Sequence, residues 1–226
     1  MNIVIITQND PFYLAENIEY LISNLPEGAK VTGCVVFDVS PFGKKESFVQ
    51  KLQRTWRIFG IGFVFHYGIR FVLNKFDSSK KVERILEKYD IPKIELDKRI
   101  NNKESLQKIG EYEPDLLVSI AGNQIFKRPL LDLAPKGCIN LHTALLPKYR
   151  GLMPSFWVLK NNEKETGVSV FFVDEGIDSG PIIVQERVEI GTMSQAELIV
   201  KTKKIGMDAI SKRIRHIKDD LGGLVP

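Results

Sequence analysis

Residues 113–126 read EPDLLVSIAGNQIF, and the run DLLVSIA (115–121) within them decides the fold. A proline introduces the run, and Ser119 alone breaks its apolar centre. A strand this uniformly apolar is covered on both faces, as in a parallel sheet packed between helices. Working outward, NIVIIT (2–7), KVTGCVVFDV (30–39), IPKIEL (91–96) and KGCINLH (136–142) read as further strands. Helical spacing predicts helices over 12–24 (Leu14, Ile18, Leu21, Ile22), 42–76, 79–89 and 101–113. Strand–helix alternation predicts an α/β fold: a doubly wound, mainly parallel, Rossmann-like sheet flanked by helices. TGVSVFFV (166–173) and PIIVQERVEI (181–190), joined by DEGIDSG, read as late antiparallel edge strands. Short and long helices are expected at 154–162 and 194–218. The length suits one domain, 1–226, with a helical insertion at about 42–76.

Composition narrows the function classes. Lys and Arg number 32 against 28 Asp and Glu, a net charge of +4 that suits an anionic small molecule and gives no footprint for nucleic acid. Cys34 and Cys138 are too few for a disulfide framework, form no CxxC pair, and read as buried free thiols. The start, MNIVIITQND, lacks the basic region of a signal peptide and reads as a first buried strand, so a cytoplasmic setting is expected. IFGIGFVFHYGIRFVL (58–73) is too short to span a bilayer, which takes about 20 apolar residues. It reads as a core-facing or partner-facing helix, with a homodimer through 42–76 as the expected partner and no stable membrane anchor. A peripheral membrane contact is the alternative, because Lys44, Lys45, Lys51, Arg54 and Arg57 precede it.

In open parallel sheets, ligands bind beyond the carboxyl ends of the strands. The strand 136–142 ends at His142, and INLHTALLPKYRG (139–151) carries the chemistry-bearing residues there. Asn140 and His142 lie two apart, so they share one face of the strand. The amide and a protonated ring both donate to a developing oxyanion; the neutral ring instead accepts a proton. Asp178, in GIDSG (176–180), is the candidate to hold the ring, with Gly176 and Gly180 allowing a tight turn. No metal site is expected, since the three histidines, His66, His142 and His216, stand at no ligand spacing. There is no G-x-S-x-G elbow, and TQNDPF (7–12) after the first strand is not a dinucleotide loop.

INLHTALLPKYRG, then Pro154 and Trp157, then TGVSVFFVDEGIDSGPIIVQ (166–185), resembles the formyltransferase family that uses N10-formyltetrahydrofolate. The resemblance implies that Asn140, His142 and Asp178 are the catalytic set. It implies a pterin pocket lined by Gly122, Asn123, Gln124, Ile125 and Phe126, with Val173, Asp174, Glu175 and Gly176 as the other wall. The co-substrate would be N10-formyltetrahydrofolate and the partner a small-molecule amine. Within the family, the tRNA enzyme carries a further β-barrel domain where one helix follows Ile190 here, so that substrate is not expected. The purine enzyme has a Gly-Ser-rich phosphate loop where this chain has Thr7-Gln8-Asn9-Asp10-Pro11. The sugar-amine N-formyltransferases match best, with Lys148 and Arg150 placed to grip phosphate or carboxylate and Tyr149 to stack on a ring. A formyltetrahydrofolate hydrolase, a glycinamide ribonucleotide-type transformylase and a non-catalytic binder stay open.

Overall fold

The computed structural model describes residues 1–10, 12–38, 47–62, 64–66, 68–69 and 81–219. Pro11 of the first turn, and 42–46 and 70–76 of the expected insertion with Lys44, Lys45 and Arg70, lie outside the described residues. Six strands are β1 (Asn2–Gln8), β2 (Lys30–Phe37), β3 (Leu116–Ile120), β4 (Cys138–His142), β5 (Glu165–Phe172) and β6 (Ile182–Glu189). The helices are α1 (Leu14–Ser23), α2 (Phe48–Phe59), α3 (Val82–Lys88), α4 (Lys103–Gly110), α5 (Arg128–Leu131), α6 (Pro154–Lys160) and α7 (Gln195–Asp219).

The sheet order is β2-β1-β3-β4-β5-β6. The first four strands run parallel, β5 pairs antiparallel with β4, and β6 pairs antiparallel with β5 to close one side. The expected architecture is therefore present. One expected strand is not: 91–96 makes only an isolated bridge between Cys34 and Lys93. Pro92 has no N–H to extend a ladder, so its carbonyl accepts from Cys34 and pairing ends two residues later at Ile94.

Alternation along the parallel strands sorts the core into two layers. Ile3, Ile5, Leu116, Val118, Ile120, Ile139 and Leu141 face α1, α3 and α7. Val4, Ile6, Leu117 and Cys138 face the opposite layer, built with Ile100, Ile109, Phe126 and Leu130. Cys34 packs in the first layer and Cys138 in the second, and both thiols are free and buried. Helix α7 sits directly behind β4. A β-carbon on its Gly206 would come 2.4 Å from the Leu141 side chain, so the bare glycine lets helix and side chain meet without that leucine giving way. With Leu141 held against α7, Asn140 and His142 are turned to the other side of the sheet.

The stretch beginning at 58 departs from the core-facing expectation. Ile61, Phe65 and Ile69 are all exposed. Composition gave the apolar character of this segment but not its direction. Among the described residues, no helix is long and apolar enough to cross a membrane.

Candidate active site

Strands β1, β3 and β4 are parallel, so Gln8, Ile120 and His142 end at one edge. Asn140 stands beside Ser119 of β3 and opposite Phe171 of β5; His142 stands opposite Ser169. The ring is 6% exposed. Its surroundings are set by two loops.

The first loop is 143–153. Its Tyr149 adopts a left-handed backbone, φ 57°, and its carbonyl oxygen lies 2.7 Å from His142 Nε2. A carbonyl only accepts, so Nε2 carries the proton and Nδ1 keeps a free lone pair. Ser169 fastens the start of this loop. Its hydroxyl donates to the Ala144 carbonyl at 2.7 Å and accepts from the Leu146 N–H at 3.0 Å. Gln185 of β6 donates to both Ser169 Oγ and the Leu146 carbonyl. At the far end, the Tyr149 hydroxyl donates to Glu163 at 2.6 Å and accepts from Asn161.

The second loop follows β5. It leaves beside β4, where the Val173 N–H donates to the Cys138 carbonyl, and folds back until Asp178 Oδ2 lies 3.4 Å from His142 Nδ1. Asp178 too is left-handed, φ 47°, and its carboxylate accepts the Gly151 N–H at 2.8 Å, tying the two loops together. Gly180 is the pivot: a β-carbon there would fall 1.8 Å from the Phe172 carbonyl oxygen. Asp174 accepts from the Gly176 N–H and the Ser179 hydroxyl, and Glu175 accepts the Arg128 N–H at the start of α5.

Burial lowers the pKa of His142 from its ordinary 6.5, against the opposing pull of the Asp178 carboxylate and the Tyr149 carbonyl. The resting ring is thus neutral near pH 7, a proton acceptor at Nδ1 with a counter-ion waiting beside it. The Asn140 oxygen is buried without a hydrogen-bond partner. Buried polar atoms are rarely left unpaired. This one marks an open hydrogen-bonding position within the site.

The segment 121–126 runs on from β3 at the same edge. Ala121 is left-handed, Phe126 is buried in the second layer, and Gly122 and Ile125 are exposed. Gln124 accepts the Ile100 N–H, and Asn101 brackets the segment through the Ile125 carbonyl and the Lys127 N–H. Asn123 donates to the Asp38 carbonyl at 2.7 Å, and its own oxygen is a second buried acceptor without a partner. Lys148 and Arg150 are exposed on either side of Tyr149. The structure therefore sets Asn140 and His142 on one face of β4, brings Asp178 to the ring, fixes 121–126 after β3 and 173–176 after β5 by hydrogen bonds of their own, and turns the Tyr149 hydroxyl toward Glu163. Sequence reasoning missed the Tyr149 carbonyl, the Gly151 N–H, Ser169 and Gln185. The first two are main-chain groups and have no residue signature.

A family profile described as Formyl transferase matches residues 71–214. The methionyl-tRNA formyltransferase of Kosmotoga olearia is 42% identical over 111 residues, 49% of this chain and 35% of that relative. The methionyl-tRNA formyltransferase of Clostridioides difficile is 37% identical over 122 residues, covering 54% of this chain and 40% of its own length. The chain thus spans less than half the length of these curated relatives. Among solved structures, phosphoribosylglycinamide formyltransferase from Bacillus halodurans superposes with a TM-score of 0.68 at 22% identity, covering 98% of both chains. A sugar N-formyltransferase from a Shewanella species gives 0.59 at 21% identity, over 96% of this chain and 69% of that one. At such identities these structures speak for the fold.

Proposed function

The chain belongs to the formyl transferase family, whose members take their formyl group from N10-formyltetrahydrofolate, and on that premise we propose that it transfers a formyl group to the primary amine of an amino sugar carried on a nucleotide. The observation that carries the chemistry is the meeting of Asn140, His142 and Asp178, the last drawn from 36 residues further along the chain. The enclosed oxygen of Asn123, without a partner, fits a ligand that brings N–H groups, as a pterin does. Residues 122–126 and 173–176 would hold the folate, which supplies the formyl group when bound.

The amine must be neutral to attack. Negative charge then builds on the formyl oxygen, and the Asn140 carboxamide, rotated to present its N–H₂, stabilises it. Positive charge builds on the amine nitrogen. Asp178 is the more exposed of the acid–base pair, its side chain at 16% against 6% for His142, and meets the departing proton first. The proton settles on His142 Nδ1. The imidazolium so formed is served at both ends, by Asp178 Oδ2 and by the Tyr149 carbonyl. From Nδ1 the proton returns to the leaving nitrogen.

The sugar-amine reading is supported by the loop after β1. The Asp10 carboxyl already accepts the Phe12 N–H at 2.8 Å and stands against Lys203, so a loop N–H that a phosphate would need is taken by the chain's own side chain. Lys148 and Arg150 are the exposed cations beside the site, suited to a phosphate or carboxylate carried by the acceptor. The test incubates the chain with N10-formyltetrahydrofolate and a panel of amino sugars, free and nucleotide-linked, with glycinamide ribonucleotide and methionyl-tRNA as competitors. Mass-spectrometric detection of an N-formyl sugar is the expected result. Rapid release of formate with no amine present would replace this reading with a hydrolase.

A further inference from the structure

Helix α2 shows solvent the face that an amphipathic helix ordinarily buries. Val49, Leu52 and Trp56 stand at i, i+3 and i+7, on one stripe, and are 59%, 43% and 58% exposed. Ile58, Ile61, Phe65 and Ile69 continue the exposed apolar series. Of the twelve exposed large hydrophobic side chains among the described residues, these seven fall within 49–69. The others are scattered singly, as on any soluble surface.

The charge of the same segment is one-sided. No Asp or Glu occurs from Ser47 to Phe76, while Lys51, Arg54, Arg57, Arg70 and Lys75 do. At helical spacing, Arg54 and Arg57 fall on the side of α2 opposite Leu52 and Trp56. The helix is firmly started: Ser47 and Gln50 form a reciprocal capping box.

From these observations we propose that α2 and the apolar residues after it are a docking element for an anionic phospholipid surface. The helix lies in the headgroup plane with Val49, Leu52 and Trp56 sunk toward the acyl chains and the cations among the lipid phosphates. A second copy of the chain is the poorer occupant. Two-fold pairing through the apolar stripe would make no use of the cations on the other side of α2, whereas an anionic lipid surface takes the stripe into its acyl boundary and the cations among its headgroups.

The test is sedimentation of the full chain with phosphatidylcholine vesicles, with and without phosphatidylglycerol. A Trp157→Phe background makes Trp56 the sole tryptophan, the sequence having two. Expected are co-sedimentation with the anionic vesicles, a blue-shifted Trp56 emission on binding, and loss of both as salt is raised. Replacing Lys51 and Arg57 by Gln weakens partitioning by roughly twenty-five-fold, each cation near an anionic surface contributing about a factor of five. Val49→Glu with Trp56→Glu abolishes it, with circular dichroism and thermal midpoint unchanged because both side chains are exposed. Failure to sediment with any vesicle overturns the proposal, as does equal binding to neutral vesicles. So does a dimer in sedimentation velocity that Trp56→Glu dissociates while vesicles leave the chain in solution, which would give the face to a second copy.

Discussion

The main-chain carbonyl of Tyr149 lies 2.7 Å from Nε2 of His142, so a residue with its own side chain directed elsewhere fixes the tautomer of the ring. The hydroxyl of Tyr149 is anchored on Glu163 and Asn161, and this anchor holds a left-handed backbone in place. Tyr149→Phe is expected to lower kcat about tenfold with little change in KM, a loss equivalent to about one net hydrogen bond. The check that separates tautomer control from general loosening is ¹⁵N spectroscopy of the ring. The wild-type chain should show a single Nε2–H form and the variant a mixture.

Asp178→Asn removes the counter-ion of the imidazolium while leaving an oxygen for the Gly151 N–H. The expected fall in kcat is about 10²–10⁴, the range of general acid–base contributions. Asn140→Ala, which deletes the proposed oxyanion donor, should cost about 10²–10³. Steady-state kinetics of the purified variants measure both. Turnover of Asn140→Ala at the wild-type rate would remove that residue from the mechanism.

Burial gives His142 a lower pKa in the folded chain than in the unfolded one. Between the two values the unfolded chain holds more protons, so stability rises with pH across that window. The contribution is complete above the unfolded value, is lost as pH falls below about 6.5, and levels off once the folded ring protonates. The thermal midpoint of the wild-type chain should therefore drop on acidification more than that of His142→Asn, which cancels other groups by difference. Asp178→Asn lowers the folded pKa further and should deepen the drop.

Gly180→Ala places a β-carbon against the Phe172 carbonyl, a main-chain atom that cannot swing aside. The loop must shift, taking Asp178 away from His142. A stability loss of about 1–3 kcal/mol is expected from the overpacking. The loss of kcat should exceed what that destabilisation explains at a temperature where the variant is folded. Denaturant unfolding and kinetics at the same temperature compare the two.

Much of this was legible in the residues. The apolar run at 116–120 announced a strand covered on both faces, and the two-residue spacing of Asn140 and His142 announced a shared side. Asp178 stood out as a carboxylate between two turn glycines, and the resemblance implied its catalytic role, since a gap of 36 residues carries no geometric information. What fixes its approach is the glycine under Phe172, a close contact made only after folding. The apolar residues of 91–96 read as a strand, yet Pro92 limited it to one bridge. Apolar content at 58–69 was plain, but whether it faces protein or solvent depends on where α2 leads it.

Cys34 and Cys138, one thiol in each layer beside the sheet, are each 2% exposed or less, with ionisation suppressed by burial. Alkylating reagents attack the thiolate, so neither sulfur reacts until its own side opens. Single-cysteine versions would then act as two clocks, timing how often the helices on each flank breathe. Folate added during labelling would reveal whether ligand quiets one flank or both.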